Sequence, residues 1–227
     1  MNRLHLITTV SLLLTVSCAP TVSQAPATAP ITKESAAPVN TLQAASPANW
    51  KPGLTGFGYN STSGVSAVAA SAPEAAAALS NYPGATKPSS LIRIDFDNTK
   101  SDPDQDLKKA YALLDFSKPL NFSGVKTVTF EVFNPTSITL DAALTVSTTA
   151  GKEWQESKLI SFQPGWSRIN FNLTEQTFKA ERSGWANTVA VQNLNDVRGL
   201  ALMIYPHQGI KNYVLVSAPS TDTAVAE

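Results

Sequence analysis

Apolar and polar residues alternate along several stretches of this chain. In Leu91–Asp97 the apolar set is Ile92, Ile94 and Phe96, and the polar set is Arg93, Asp95 and Asp97. The stretch 127–133 repeats the pattern with Val128, Phe130 and Val132 against Thr127, Thr129 and Glu131. Residues 139–146 follow it more loosely, and 167–173 sets Ile169, Phe171 and Leu173 against Arg168, Asn170 and Asn172. A period of two sends one set of side chains into a core and the other toward solvent, as in a half-buried β-strand. Stretches 110–116, 157–162, the apolar run 200–205 and 213–216 bring the number to about eight strands. Asn134-Pro135, Ala150-Gly151, Pro164-Gly165 and His207-Gln208-Gly209 are turn signals between them. Many short strands at hairpin spacing predict an all-β, antiparallel sandwich. The alternation lapses over 174–198, where one or two short helical turns are expected. Residues 73–80, alanines behind Pro73, admit either a helix or an irregular segment.

The first 17 residues are of another kind. Arg3 is followed by an apolar run over 6–16, then Ser17 and Cys18, the single cysteine of the chain. A cation, an apolar stretch and a small residue before the cut describe a secretory signal, and the run is too short to span ~30 Å of hydrocarbon as a helix. The segment Leu14-Thr15-Val16-Ser17-Cys18 resembles the lipobox of bacterial lipoprotein signal peptides, with Thr15 where Leu is usual. That resemblance implies a thioether-linked diacylglycerol on Cys18, export, and anchorage at the outer membrane or cell surface. Two or three acyl chains, at ~0.8 kcal/mol per buried methylene, hold a protein on a bilayer far more firmly than one. With Cys18 lipidated, no internal disulfide is available.

From Cys18 to residue 49 the chain is mostly Ala, Pro, Ser, Thr and Val, and Lys33-Glu34 is its only charged pair. Such a composition offers too little apolar surface to offset the entropy of ordering, so 18–49 is expected to be a disordered tether. Residues 50–217 are enough for one domain with a proper core, and 218–227 are expected to form a disordered tail. Cleavage before Cys18 removes Arg3, one of 17 Lys and Arg residues that stand against 17 Asp and Glu. A near-neutral chain with no basic run argues against a nucleic-acid partner.

Within the domain, the hairpin from Phe116 through Asn121-Phe122-Ser123-Gly124 to Pro135, Gln163-Pro164-Gly165-Trp166 before a strand, and Ser183-Gly184-Trp185 followed by Leu194 to Tyr205 occur in order. Together they resemble bacterial carbohydrate-binding modules with a jelly-roll, galactose-binding-like fold, of the mannan-binding type attached to glycoside hydrolases. The resemblance covers about 91–216 and implies a jelly roll, polysaccharide as partner, and a structural calcium. The strand that often carries the calcium carboxylate reads here Tyr213-Val214-Leu215-Val216-Ser217, so that carboxylate is missing. Asp102, Asp104 and Asp106 alternate as in a calcium loop, but the glycine and distal Glu of such a loop do not follow, and they are read as a solvated acidic loop. No cofactor is expected.

Sugar recognition needs flat aromatic faces flanked by groups that hydrogen-bond hydroxyls. Trp154, Trp166 and Trp185 are the candidates, with Tyr111 and Tyr205 behind them. Trp154 lies in the polar stretch Lys152-Glu153-Trp154-Gln155-Glu156. The expected site is therefore Trp154 and Trp185, with Gln155, Glu156 and Arg168 as polar partners. Trp166 is expected to pack, and Tyr205 to face the core with its hydroxyl reaching outward. Catalysis has little support: cleavage leaves His207 as the one histidine, and Glu131 and Asp95 read as solvent-side strand residues rather than a hydrolytic pair. The leading reading is a non-catalytic, membrane-anchored lipoprotein that binds polysaccharide. The alternative is a structural or protein-interaction lipoprotein that keeps the fold without sugar binding. Cys18→Ala is expected to abolish lipidation; equal incorporation of labelled palmitate by variant and parent would contradict it.

Overall fold

In the computed structural model the described residues are 40–41, 50–56, 59–61, 65–99, 109–207, 209–223 and 225; side chains are described from residue 68 onward. The signal segment, Cys18, most of the expected tether and the Asp102–Asp106 loop therefore lie outside the described residues. The strands, in chain order, are β1 (Asn40–Thr41), β2 (Trp50–Gly56), β3 (Tyr59–Ser61), β4 (Val65–Ala69), β5 (Leu91–Asp97), β6 (Lys109–Leu120), β7 (Thr127–Asn134) and β8 (Leu140–Thr148). They continue with β9 (Glu153–Ser157), β10 (Ile160–Phe162), β11 (Gly165–Asn172), β12 (Phe178–Lys179), β13 (Val197–Tyr205), β14 (Lys211–Ser217) and β15 (Ser220–Thr221). All ladders are antiparallel and fall into two sheets. Sheet A runs β4-β5-β14-β7-β11, with β15 also on β7 and β1 on β15. Sheet B runs β3-β2-β6-β13-β8-β9-β12, with β10 sharing the β8 edge. The fold is the expected all-β, two-sheet antiparallel sandwich. Each of the eight expected stretches is strand, with 157–162 divided between the end of β9 and β10.

The alternation seen in the sequence becomes the seam between the sheets. Ile92, Ile94 and Phe96 of β5, Val128, Phe130 and Val132 of β7 and Ile169 and Phe171 of β11 meet Ala110, Ala112 and Leu114 of β6, Leu144 and Val146 of β8 and Leu200, Leu202 and Ile204 of β13. Fully burying each large side chain contributes about 1.5–3 kcal/mol. A register shift between Val197 and Gly199 bends β13, and a Cβ at Gly199 would lie 2.9 Å from the Leu114 carbonyl oxygen. That close approach requires glycine. The 174–198 region holds β12 and a single 3₁₀ turn at Glu181–Ser183, in keeping with the lapse in periodicity.

Residues 73–80 resolve as helix. The helix α1 (Ala72–Ser80) begins with Pro73 in its first turn and is capped by Glu74, which accepts from the Ser71 amide (3.1 Å) and hydroxyl (2.7 Å). It lies on the outward side of sheet A, where Ala78 packs with Leu91, Trp166 and Leu215, flanked by Leu79, Tyr82 and Phe133. The Trp166 indole N–H donates to the Ala78 carbonyl (2.9 Å), satisfying one of the acceptors a helix C-terminus leaves open. Arg93 of β5 ties Glu74 to the sheet.

Two expectations about the chain ends are corrected. Ser220 and Thr221 are not part of a disordered tail: they form β15 on the Thr129 and Val128 register of β7, and Thr221 is buried. Asp222 follows, accepting from the Lys126 and Thr127 amides. Asn40 and Thr41, placed in the tether by composition, form β1 on β15. Backbone pairing is indifferent to the side-chain composition that marks both segments as polar. Trp166→Ala should cost about 3–5 kcal/mol in urea unfolding, because it empties the space under α1 and removes the indole donor to the Ala78 carbonyl. A loss under 1 kcal/mol would show that α1 does not depend on this ring.

Candidate functional site

On sheet B the residues between the core positions point away from the seam. Tyr111 and Leu113 of β6, Ala201, Met203 and Tyr205 of β13, Ala143 of β8 and Trp154 of β9 form one outward apolar cluster. Strand register builds it: Ala143 is opposite Met203, Met203 is opposite Tyr111, and Ala201 is opposite Leu113. The small residues make a low floor, fully buried, and the aromatic side chains stand around it. Trp154 and Tyr111 are half-buried and meet edge-to-face, with centroids 6.1 Å apart and planes at 71°. This is a favourable aromatic geometry rather than a coplanar strip.

Beside this pair lies a charged knot. Glu156 of β9 faces Thr145 of β8 on one side and Lys179 of β12 on the other, so all three share the outward side. Its carboxylate accepts from Lys109 Nζ (2.9 and 2.8 Å), Lys179 Nζ (2.9 Å) and the Tyr205 hydroxyl. The Glu156 side chain is 3 % exposed, and Lys109 Nζ also sits 5.1 Å over the Tyr205 ring. Burial favours the neutral acid, yet the donors from Lys109, Tyr205 and Lys179 outweigh it and hold the Glu156 carboxyl below its ordinary 4.5. Burial pulls Lys109 below its ordinary range, and the neighbouring Lys179 ammonium adds to this against the pull of Glu156. Burial, with Glu156 alongside, pushes the Tyr205 hydroxyl up, so it is a donor at any working pH.

The residues expected from sequence are not all brought together. Trp154 and Glu156 share the sheet B face, two residues apart on β9. Gln155 is a correction: period-two alternation turns it inward, where it is fully buried. Its amide donates to Thr148 Oγ1 (2.9 Å) and the Gln192 carbonyl (3.0 Å) and accepts from the Gln192 amide (2.9 Å), fastening the 180–193 connection to the sheet. Arg168 is a second correction. It lies on β11 in sheet A, paired with Glu131 (2.7 Å), which also takes the Tyr82 hydroxyl. Trp185 is 53 % exposed at φ +65°, after Gly184 at φ +59°, and is not part of the Trp154 cluster. Tyr205 is a third correction: its ring belongs to the outward cluster of sheet B, not to the seam between sheets. Lys109, Lys179 and Thr145 were missed, since nothing local marks a lysine or threonine whose importance comes from register with distant strands.

Sheet A offers a different surface. A groove of about 710 Å³ runs from Thr129, Arg168 and Asn170 of this sheet to Ser157, Ile160 and Phe178 at the edge of sheet B. It carries neither Trp nor Tyr in its lining. Where the resembling modules place a calcium carboxylate, Val214 and Leu215 are buried apolar residues, so this strand supplies no carboxylate there. Among the described residues no group of three or more His, Cys, Asp or Glu gathers into a metal site.

The two-sheet sandwich is the fold of carbohydrate-binding modules of the β-sandwich kind. Similar solved structures include the family 11 carbohydrate-binding module of the cellulosomal cellulase Lic26A-Cel5E of Clostridium thermocellum, with TM-score 0.51 and 11 % identity over 84 % of this chain and 97 % of that module. The Clostridium thermocellum family 11 module in complex with a β-1,3-1,4-mixed-linked tetrasaccharide gives 0.51 at 10 % identity, over 85 % and 100 %. Part of an exo-β-agarase gives 0.50 at 10 % identity, covering 82 % of this chain and 25 % of that one. At such identities the likeness is one of fold. No family model and no curated protein matches the sequence.

The Glu156 knot sets a pH dependence. A carboxyl whose folded pKa lies below its unfolded 4.5 contributes stability above pH 4.5 and loses it as pH falls through the lower folded value. Glu156→Gln should therefore cost about 3–5 kcal/mol at pH 7, because it leaves two partly buried ammonium groups uncompensated. The gap between parent and variant should narrow as pH drops below 4.5. A gap unchanged between pH 7 and pH 3 would show that the cost comes from packing alone.

Proposed function

We propose that this chain is a non-catalytic polysaccharide-binding protein, held at the cell envelope by a lipid on Cys18, that uses the outward face of sheet B. The observation that carries this reading is the Trp154–Tyr111 pair, two half-buried rings on an apolar floor beside the Glu156 and Lys179 polar groups. Aromatic faces take the apolar side of a sugar ring, and adjacent charged and amide groups take its hydroxyls. The fold likeness to carbohydrate-binding modules supports the reading, and the lipobox-like segment ending at Cys18 supports the anchor.

A structural or protein-interaction role is the second reading. The 71° angle between Trp154 and Tyr111 favours it, because a continuous sugar platform wants rings closer to coplanar. Titrating the chain with soluble mannan, mixed-linked glucan and galactan separates the two. Under the first reading at least one polysaccharide binds, and Trp154→Ala weakens it about tenfold or more, from ~1–2 kcal/mol of apolar contact. The same variant should retain the parent's unfolding midpoint within a few degrees. Binding by none of the three would leave the interaction role standing.

A further inference from the structure

At one spot on the sheet B face two cations share a single carboxylate. Lys109 and Lys179 converge on Glu156 alone, so the knot bears one net positive charge. Of the other carboxylates on this side, Asp115 has Lys152 Nζ at 3.9 Å, and Asp141, opposite Tyr205, accepts from Ser161 Oγ (2.5 Å) and keeps its negative charge. Lys179 keeps an outlet to solvent, with 24 % of its side chain exposed. Next to Glu156 on the same face, the Thr145 hydroxyl is buried and has no hydrogen-bond partner among the described residues. Burial already pulls Lys109 away from its charged form, which marks a place where a second counter-anion would be favourable.

We propose that the ligand of this face is an acidic polysaccharide, whose uronate carboxylate pairs with the Lys179 ammonium, the cation of the knot that reaches solvent, while a ring packs on Trp154. This rests on the polysaccharide-binding reading of the same face. Ammonium–carboxylate hydrogen bonds are charge-assisted and fall in strength with salt at the exposed rim.

The test is titration of the full chain with polygalacturonate and alginate, with their methyl esters, and with neutral mannan and mixed-linked glucan. At least one acidic polymer should bind about tenfold tighter than its ester, and the margin should shrink in 0.5 M salt. Lys179→Gln should erase the margin, and Lys179→Arg should keep it, which separates lost charge from lost folding. A neutral polymer that binds as tightly as the acidic ones would overturn the acidic preference and leave polysaccharide binding intact. An acidic preference that survives Lys179→Gln overturns the assignment to this knot. Binding by none of the polymers overturns both readings.

Discussion

A carboxylate cannot be taken out of water without donors to replace it, and Glu156 meets that constraint by recruiting across sheet B. Its donors come from β6 (Lys109), β12 (Lys179) and β13 (Tyr205), strands far apart in sequence. For these groups to meet, β9 must stand in register with β8, and β8 with β13. The low floor of Ala143, Ala201 and Met203 leaves room for the Tyr205 ring, over which the Lys109 ammonium sits. Long side chains of this kind cover apolar surface while their charged ends find partners. A larger residue at Ala143 or Ala201 would lift them apart. The position of Trp154, two residues before Glu156, follows from the same register.

The two outward faces of the sandwich are treated differently. Sheet A is covered over its apolar half by α1, through Trp166, Leu91, Leu215 and Ala78. Its other half is a ladder of Thr127, Thr129 and Glu131 against Asn172, Asn170 and Arg168, suited to water. Sheet B has no helix over its outward side among the described residues. Its apolar cluster is protected instead by its own rings and by the Lys109, Glu156 and Lys179 knot. A surface built in that way keeps aromatic groups within reach of solvent while stabilising them.

How much was legible in the sequence follows from how local each signal is. Alternation in Leu91–Asp97, 127–133 and 167–173 is written in neighbouring residues, and all three are strands with the expected faces inward. Trp166 was readable as a packing residue, though its partner is α1 and not the seam. The site was legible only in part. Trp154 and Glu156 do lie on one face of sheet B, but Gln155 was grouped with them against the same alternation that had located the strands. Arg168 was assigned without knowing which sheet β11 joins, and that is decided by eight paired positions with β7. Tyr205 ends an apolar run whose residues look alike in sequence, yet β13 sends Leu202 and Ile204 to one core and Met203 and Tyr205 to another surface. Ser220 and Thr221 carry no pattern at all, and only the exposed edge of β7 explains why they pair.

The meeting of β1 and β15 has a mechanical side. Residue 40 joins sheet A, whereas a molecule gripped on the Trp154 face would be held by sheet B. Tension between residue 39 and that molecule must pass through a ladder two residues long before it reaches β2. Such a ladder peels one hydrogen bond at a time, far below the force that separates the long ladders of β6, β13 and β8. Its opening would free Asn40 and Thr41 from sheet A. A pull on Asn40 would then part this short ladder first, and the long ladders under the aromatic face would stay paired.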